Sequence, residues 1–316
     1  MIEIFQTVGW LELPMQVITW LGSELFFLLF VAYLYWCVDL RLGIQVALIL
    51  LLSTSLNSGL KLLFASPRPA WVDPDITAIE LESSFGLPSA HAQNAVAVGG
   101  VIAQVVRHRW LRGLILLLIL LIGLSRLYLG VHFLIDVLVG WLVGAGVLLA
   151  FKRYSRPVGQ WIWRYRFEQQ SAIAIMTSGL LLLPSLVIAQ VREAWGLPSI
   201  WGQPPLLAQP GPLPSPLAPD TAVAVAGTWL GFVIGVLWLA QRRSLNSGPN
   251  QLAWGTRYLI GITVAIALWA GLGRGFPDDT TVTAYGLRYL RYSLIGGWIA
   301  AGAPMVFQWV ARSPRG

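Results

Sequence analysis

Long apolar runs alternate with short polar clusters along this chain. A membrane-spanning helix needs about 20 mostly apolar residues, and nine segments approach that length: 14–37, 42–64, 89–106, 111–129, 132–151, 171–191, 221–240, 255–272 and 291–310. Met1–Glu12 precedes them, with Ile2, Phe5, Val8 and Trp10 set among polar residues. It reads as an interfacial helix, because a cleaved signal peptide would have a basic start and a cleavage-like run. Two loops interrupt the pattern. Residues 65–88 are polar for this chain and carry Arg68, Asp73, Asp75, Glu80 and Glu82; residues 192–220 hold eight prolines and cannot be helical throughout. The second loop separates six predicted helices from a C-terminal block of three. Arg257-Tyr258-Leu259 and Arg288-Tyr289-Leu290 look alike, but three residues are too few to define a repeat.

Composition turns this pattern into a fold class. Of 316 residues, 56% are apolar and only 11% charged, against about a quarter charged in an ordinary soluble domain, and the mean hydropathy is +0.69. A soluble protein of this length needs more charged cover, and a disordered chain has far fewer apolar residues. The single cysteine, Cys37, excludes a disulfide scaffold. The chain therefore reads as an all-α, polytopic bundle of about nine membrane-spanning helices. Its sixteen tryptophans fit interfacial anchoring.

The net charge of +7 is explained largely by orientation. Counting alternate loops, one side collects fourteen of the twenty-one Lys and Arg residues: Arg41, Arg107, Arg109, Arg112, Lys152, Arg153, Arg156, Arg164, Arg166, Arg242, Arg243, Arg257, Arg312 and Arg315. That side is expected to be cytoplasmic. Arg192, Arg274, Arg288 and Arg291 fall on the other side, which also carries the 65–88 and proline-rich loops. Arg274, Asp278 and Asp279 read as solvated there. Nucleic acid is not implied as a partner. Lys61, Arg68 and Arg126 are left for chemistry.

Those three cations belong to three polar clusters at outward helix ends, spread over 76 residues. Lys61 to Pro69 closes the second segment, with Pro67 and Pro69 stiffening the chain around Arg68; taken alone, Lys61 and Arg68 could simply snorkel to the interface. Gly86-Leu87-Pro88-Ser89-Ala90-His91 opens the third segment, where the N–H groups of Ser89, Ala90 and His91 can bind an anion; taken alone, this is a capped helix start. Ser125-Arg126 through His132 to Asp136 spans the turn between the fourth and fifth segments. His132 and Asp136 are four apart and share one side of a helix, so the carboxylate can fix the imidazole tautomer. Asp136 is the only carboxylate between Glu82 and Glu168, and it enters an apolar helix where an unpaired charge is costly. A buried structural His–Asp pair is the plainer reading of that cluster by itself. Together the clusters describe a phosphate site: cations and N–H groups for the anion, a nucleophile with its orienting acid, and a second histidine as proton donor. His108, between Arg107 and Arg109, reads as an ordinary interface residue.

These motifs resemble the type 2 phosphatidic acid phosphatase (PAP2) superfamily of membrane lipid phosphatases, whose signature is K-x6-R-P, P-S-G-H and S-R-x5-H-x3-D. Lys61 to Pro69 match the first part, and Ser125, Arg126, His132 and Asp136 match the third. In the second, Pro88-Ser89-Ala90-His91, alanine stands where glycine is usual; with Gly86 and Ala92 this is similar to the sphingoid-base phosphate phosphatase branch. The resemblance covers about residues 1–191, as a six-helix PAP2-like core followed by the loop 192–220 and a C-terminal block 221–316. It implies that His132 attacks phosphorus and forms a phosphohistidine, that Asp136 orients it, and that His91 protonates the leaving alkoxide and then activates water. Lys61, Arg68, Ser89, Arg126 and the Ala90 N–H would hold the phosphoryl oxygens, with Ser125 in support. It implies no cofactor and no metal, since fixed cations take that place and no carboxylate cluster resembles a Mg²⁺ cage.

The favoured expectation is thus a metal-independent phosphatase acting on a lipid phosphate monoester or pyrophosphate. Its location is expected to be a bacterial cytoplasmic membrane, with the site on the outer face. A non-catalytic phospholipid-binding or transport protein, and a lipid phosphotransferase, are the competing readings. The C-terminal helices carry no motif; they could shape a lipid access path, form a homo-oligomer contact or bind a partner.

Overall fold

The computed structural model describes residues 6–73, 75–80, 82–196, 215–242, 252–277 and 280–312. Among these, every regular element is helical. The proline-rich stretch 197–214 lies outside the described residues, as do Arg243, Asp278, Asp279 and Arg315. The main helices are α1 (Glu12–Trp20), α2 (Glu24–Tyr33), α3 (Leu40–Phe64), α4 (Ala90–Val105), α5 (Arg109–Tyr128), α6 (Leu134–Ile162), α7 (Phe167–Trp195), α8 (Asp220–Gln241), α9 (Trp254–Ile266), α10 (Val282–Gly297) and α11 (Ala303–Arg312).

Nine spans are not confirmed. Among the described residues, seven helices are long and apolar enough to cross a membrane, or eight if the bent pair Gly9–Trp20 and Glu24–Val38 forms one. The expected first span breaks around Gly22 and Ser23 and bends by 51°. There the Ser23 hydroxyl accepts the Phe26 N–H at 3.2 Å and caps the second half. The expected third span, α4, has only 16 residues, about 24 Å of helix, and is shorter than a bilayer core of about 30 Å. In the other direction, α6 continues through Lys152-Arg153-Tyr154-Ser155-Arg156 to Ile162, eleven residues beyond its expected end at 151, because a helix can continue in water once its apolar run is over.

The chain divides into two compact units. The first comprises Met1–Phe27, Leu52–Lys152 and Pro184–Pro219; the second comprises Leu28–Leu51, Arg153–Leu183 and Asp220–Gly316. In the first unit, α5 packs against both α1 and α4. Tyr128, Leu129 and Val131 form a core with Leu11, Met15 and Ile79, and Ala92, Leu127 and Val137 form another with Trp141. Between α3 and α4 runs a buried polar ladder: Asn57 donates to the Gln93 side-chain oxygen at 2.8 Å, Gln93 donates to the Ser53 carbonyl at 2.7 Å, and the Ser53 hydroxyl donates to Asn94 at 2.6 Å. Each buried polar group is thereby matched inside an apolar surround.

In the second unit, α8 lies along α10 at close quarters. A side chain at Gly231 would overlap the Ser293 carbonyl oxygen, so only glycine lets the backbones approach this far. A wide π-turn at Trp298–Gly302 follows α10. Carbonyls there are met by aromatic donors: Tyr35 Oη donates to Ala300 at 2.8 Å and Trp36 Nε1 to Ile299 at 2.9 Å.

Candidate active site

All three polar clusters come together in the first unit, and each is delivered by a helix end. α3 stops at Lys61–Phe64 because Ala65 turns left-handed, with φ +45°. Arg68 is extended, as the following Pro69 requires, and Pro69 opens a single helical turn to Val72. Ser89 caps α4, its hydroxyl accepting the Ala92 N–H at 3.5 Å. α5 ends after Arg126, and Gly130, with φ +71°, makes the left-handed turn that brings His132 back toward it. α6 starts at Leu134 with Asp136 in its first turn.

Asp136 has two tasks. Its Oδ2 accepts the Phe133 N–H at 2.9 Å, the reach-back of a capping box, and lies 3.3 Å from His132 Nδ1. His132 Nε2 sits 3.2 Å from Arg68 Nη1. A guanidinium can only donate, so Nε2 accepts and the ring proton belongs on Nδ1, facing the carboxylate. The lone pair of a neutral His132 is therefore turned toward the cations, the state a nucleophile needs. His132 and Asp136 are buried.

Arg68 and Arg126 are also buried. Arg68 donates to the carbonyls of Ser84 at 2.6 Å, Val131 at 2.8 Å and Phe85 at 3.2 Å, and to the Ser84 hydroxyl at 3.1 Å. Lys61 Nζ donates to the same hydroxyl at 2.7 Å. Arg126 pairs with Glu80 at 2.8 Å and with Glu82, and also donates to the Thr19 hydroxyl. Glu82 reaches Arg68 as well, at 3.4 Å. Burial pushes the Glu82 carboxyl up, but the charges of Arg68, Arg126, Lys61 and His91 outweigh it and hold it well below the usual carboxylate range.

Ser89, an expected phosphate ligand, and Ser125, an expected supporting residue, both have partners within the protein. The Ser89 N–H is already used, donating to the Asp136 carbonyl at 2.9 Å. This bond ties the start of α6 to the cap of α4, which leaves the Ala90 and His91 N–H groups for an anion. The Ser125 hydroxyl donates back to Ile122 at 2.8 Å within its own helix. His91 lies against Gly22, where a side chain would run into the ring. Among the described residues, no group of three or more His, Cys, Asp or Glu side chains is placed to hold a metal ion.

Sequence reasoning left Glu80, Glu82, Ser84, Thr19 and Asn57 without roles. Asn57 donates to the Pro88 carbonyl at 3.2 Å, one residue before the α4 cap. A signal for Asn57 was present, because an amide in the apolar run 42–64 needs partners. Nothing local marks Thr19, whose link to Arg126 spans 107 residues.

Residues 42–159 match the family model of the PAP2 superfamily, and residues 223–314 match that of the PAP2 superfamily phosphatase, transmembrane extension. The chain belongs to the PAP2 superfamily. Together with its spanning helices, the extension makes it an integral membrane protein. The extension falls in the C-terminal block, where the sequence carried no recognisable motif. This PAP2 chain is similar to sphingosine-1-phosphate phosphatase 1 of Rattus norvegicus, 33% identical over 42% of this chain and 32% of that protein. It is also similar to phosphatidylglycerophosphatase B of Bacillus subtilis (strain 168), 34% identical over 28% and 49% respectively. The alignment thus spans about a third of the rat relative's length. The crystal structure of a transmembrane PAP2 type phosphatidylglycerolphosphate phosphatase from Bacillus subtilis matches 50% of this chain and 85% of that one, at 28% identity and a TM-score of 0.42.

Proposed function

We propose that this PAP2 chain is a phosphatase that hydrolyses a lipid phosphate monoester or diphosphate through a phosphohistidine. The observation that carries the reading is the buried His132, with Nδ1 on Asp136 and its Nε2 lone pair facing Arg68. Binding alone needs no such nucleophile. In the first step Nε2 attacks phosphorus, the bond to the lipid oxygen breaks, and His91 gives that oxygen a proton. Asp136 stabilises the charge that develops on the ring. In the second step a water, losing its proton to His91, attacks the phosphohistidine and releases inorganic phosphate with His132 restored. Lys61, Arg68, Arg126 and the N–H groups of Ala90 and His91 stabilise the equatorial oxygens in both steps. Fixed cations take the part a metal plays in other phosphoryl transfers, and no cofactor enters the scheme.

The fourteen-cation side is cytoplasmic in this reading, so the site faces the outer side of what we take to be a bacterial membrane. The protein acts within the bilayer, with the lipid tail among the helices. Its division into a core over 1–191, a loop over 192–220 and a C-terminal block over 221–316 belongs to the same proposal.

The test is phosphate release by the purified protein, with chelator present, from phosphatidic acid, phosphatidylglycerol phosphate, a polyprenyl pyrophosphate and a sphingoid phosphate. Turnover of at least one, and its loss in His132→Ala, is expected. Binding of these lipids without turnover would instead favour a non-catalytic phospholipid-binding or transport protein. Phosphoryl transfer to an added alcohol in place of water would identify a phosphotransferase.

A further inference from the structure

The three cations assigned to the phosphoryl group are all engaged by one short stretch of the acidic loop. Glu82 bridges the two guanidiniums, one carboxylate oxygen on Arg126 and the other 3.4 Å from Arg68. Glu80 takes the remaining terminal nitrogen of Arg126 at 2.8 Å. Ser84 joins Lys61 to Arg68. The Glu82 side chain is only 25% exposed, against 0% for Arg126. A carboxylate that bridges two guanidiniums uses the same planar donors that a phosphoryl group would use. The two anions cannot share them.

We propose that Glu82 is an internal competing anion that holds the phosphoryl position, and that by having to be displaced it selects dianionic terminal phosphates against phosphodiesters. The inference rests on the phosphate-site reading above. Its physical basis is the composition of the surroundings. A site at the bilayer surface faces phosphodiester headgroups, each with one negative charge, at very high local concentration. Three uncompensated buried cations would bind them. A tethered carboxylate of equal charge competes at high effective concentration and cancels that attraction. A terminal phosphate carries more charge and three strong acceptor oxygens. It can displace Glu82, while Glu80 stays near Arg126 at the rim. Glu82 is in this sense a specificity determinant rather than a catalytic residue.

The alternative is that Glu82 is a scaffold that aligns Arg68 and Arg126. The two roles give opposite signs. Orthovanadate and inorganic phosphate serve as probes, each measured by inhibition of lipid phosphate turnover and by thermal shift of the purified protein. With Glu82→Gln, competition predicts that both probes bind about ten- to a hundredfold more tightly, the worth of one charge-assisted contact. It also predicts that phosphatidylglycerol added to the micelles inhibits the variant at levels that leave the wild type unaffected. Unchanged or weaker probe binding in a folded Glu82→Gln protein would overturn the proposal. If that variant does not fold, Glu82→Asp retains the charge on a shorter arm; a smaller tightening supports the proposal and a weakening overturns it. On the wild type, saturating vanadate should speed hydrogen exchange in the peptide covering 76–85, and slower or unchanged exchange would contradict displacement. The thermal-shift and exchange measurements need no turnover. An absence of activity on every lipid phosphate would therefore count against the phosphatase reading, while the sign of the Glu82 effect would still decide this one.

Discussion

The two units treat buried polarity differently. The first buries Lys61, Arg68, Arg126, His132 and Asp136 and answers them with carboxylates, carbonyls and hydroxyls. The second packs small residues closely, Gly231 against Ser293, and buries aromatic rings, with Tyr35 and Trp36 donating to carbonyls of the π-turn. Its ion pair of Arg288 with Asp220, at 3.1 Å, is partly exposed, at 22% and 43%. Burying a charge in a low dielectric costs several kcal/mol, and pairing often does no more than offset it. The first arrangement is thus a poor way to stabilise a membrane fold, and the second a good one. Charge concentrated where it is most costly marks a region organised for chemistry.

The comparison breaks most easily at His132. His132→Ala is expected to lower turnover by about 10³-fold or more, and Asp136→Asn by about 10²- to 10⁴-fold through the wrong tautomer. Steady-state phosphate release checks both. If either variant retains wild-type turnover, the buried pair is structural and the contrast between the units loses its functional meaning. A milder case is Arg126→Lys, which keeps the charge and loses the planar fork. It should raise KM by about tenfold or more, as expected for loss of one charge-assisted hydrogen bond.

Much of this contrast was legible in the sequence. Lys61, Arg68, Arg126, His132 and Asp136 stood out because so few charges interrupt the apolar runs, and the four-residue step from His132 to Asp136 has a direct helical meaning. What could not be read were partners made by the chain path. Glu80 and Glu82 are ordinary loop acids until the turn at Ala65 and the end of α5 aim two guanidiniums at them. The Ser89 N–H looked free because the Asp136 carbonyl that takes it lies 47 residues away in sequence. Span counting failed for a different reason. Apolar length alone does not reveal the 51° bend after Trp20, nor that α4 stops after 16 residues. The close approach of α8 and α10 depends on which faces meet, and glycine content does not specify that.

Two substitutions sharpen the contrast at smaller effect. Gly231→Ala forces a methyl group into the Ser293 carbonyl and should destabilise the protein by about 1–3 kcal/mol through overpacking. It should lower the melting temperature in detergent and leave turnover per folded molecule unchanged. A fall in kcat without a fall in melting temperature would show that the second unit does more than pack. Asn57→Leu removes the donor to Pro88 and Gln93 and should destabilise by about 1–3 kcal/mol, because a buried carbonyl loses its partner. It differs from Gly231→Ala in also lowering kcat, since Asn57 holds the chain just before the α4 cap. KM should move less.

The smallest effect is a dependence of stability on pH that belongs to the first unit. Glu82 is held below the ordinary carboxylate value of 4.5 by Arg68, Arg126 and Lys61. Such a group binds its proton more weakly folded than unfolded. Its stabilising contribution is therefore complete above that ordinary value and is lost as pH falls through the lower folded value. Between about pH 5 and about pH 3 the wild-type melting temperature should decline, and Glu82→Gln, which has no proton to take up there, should decline less. Gly231→Ala leaves this carboxylate untouched and should run parallel to the wild type at a lower temperature. If Glu82→Gln also runs parallel to the wild type, the acid sensitivity arises elsewhere and the Glu82 carboxylate is not coupled to the cations as its geometry requires.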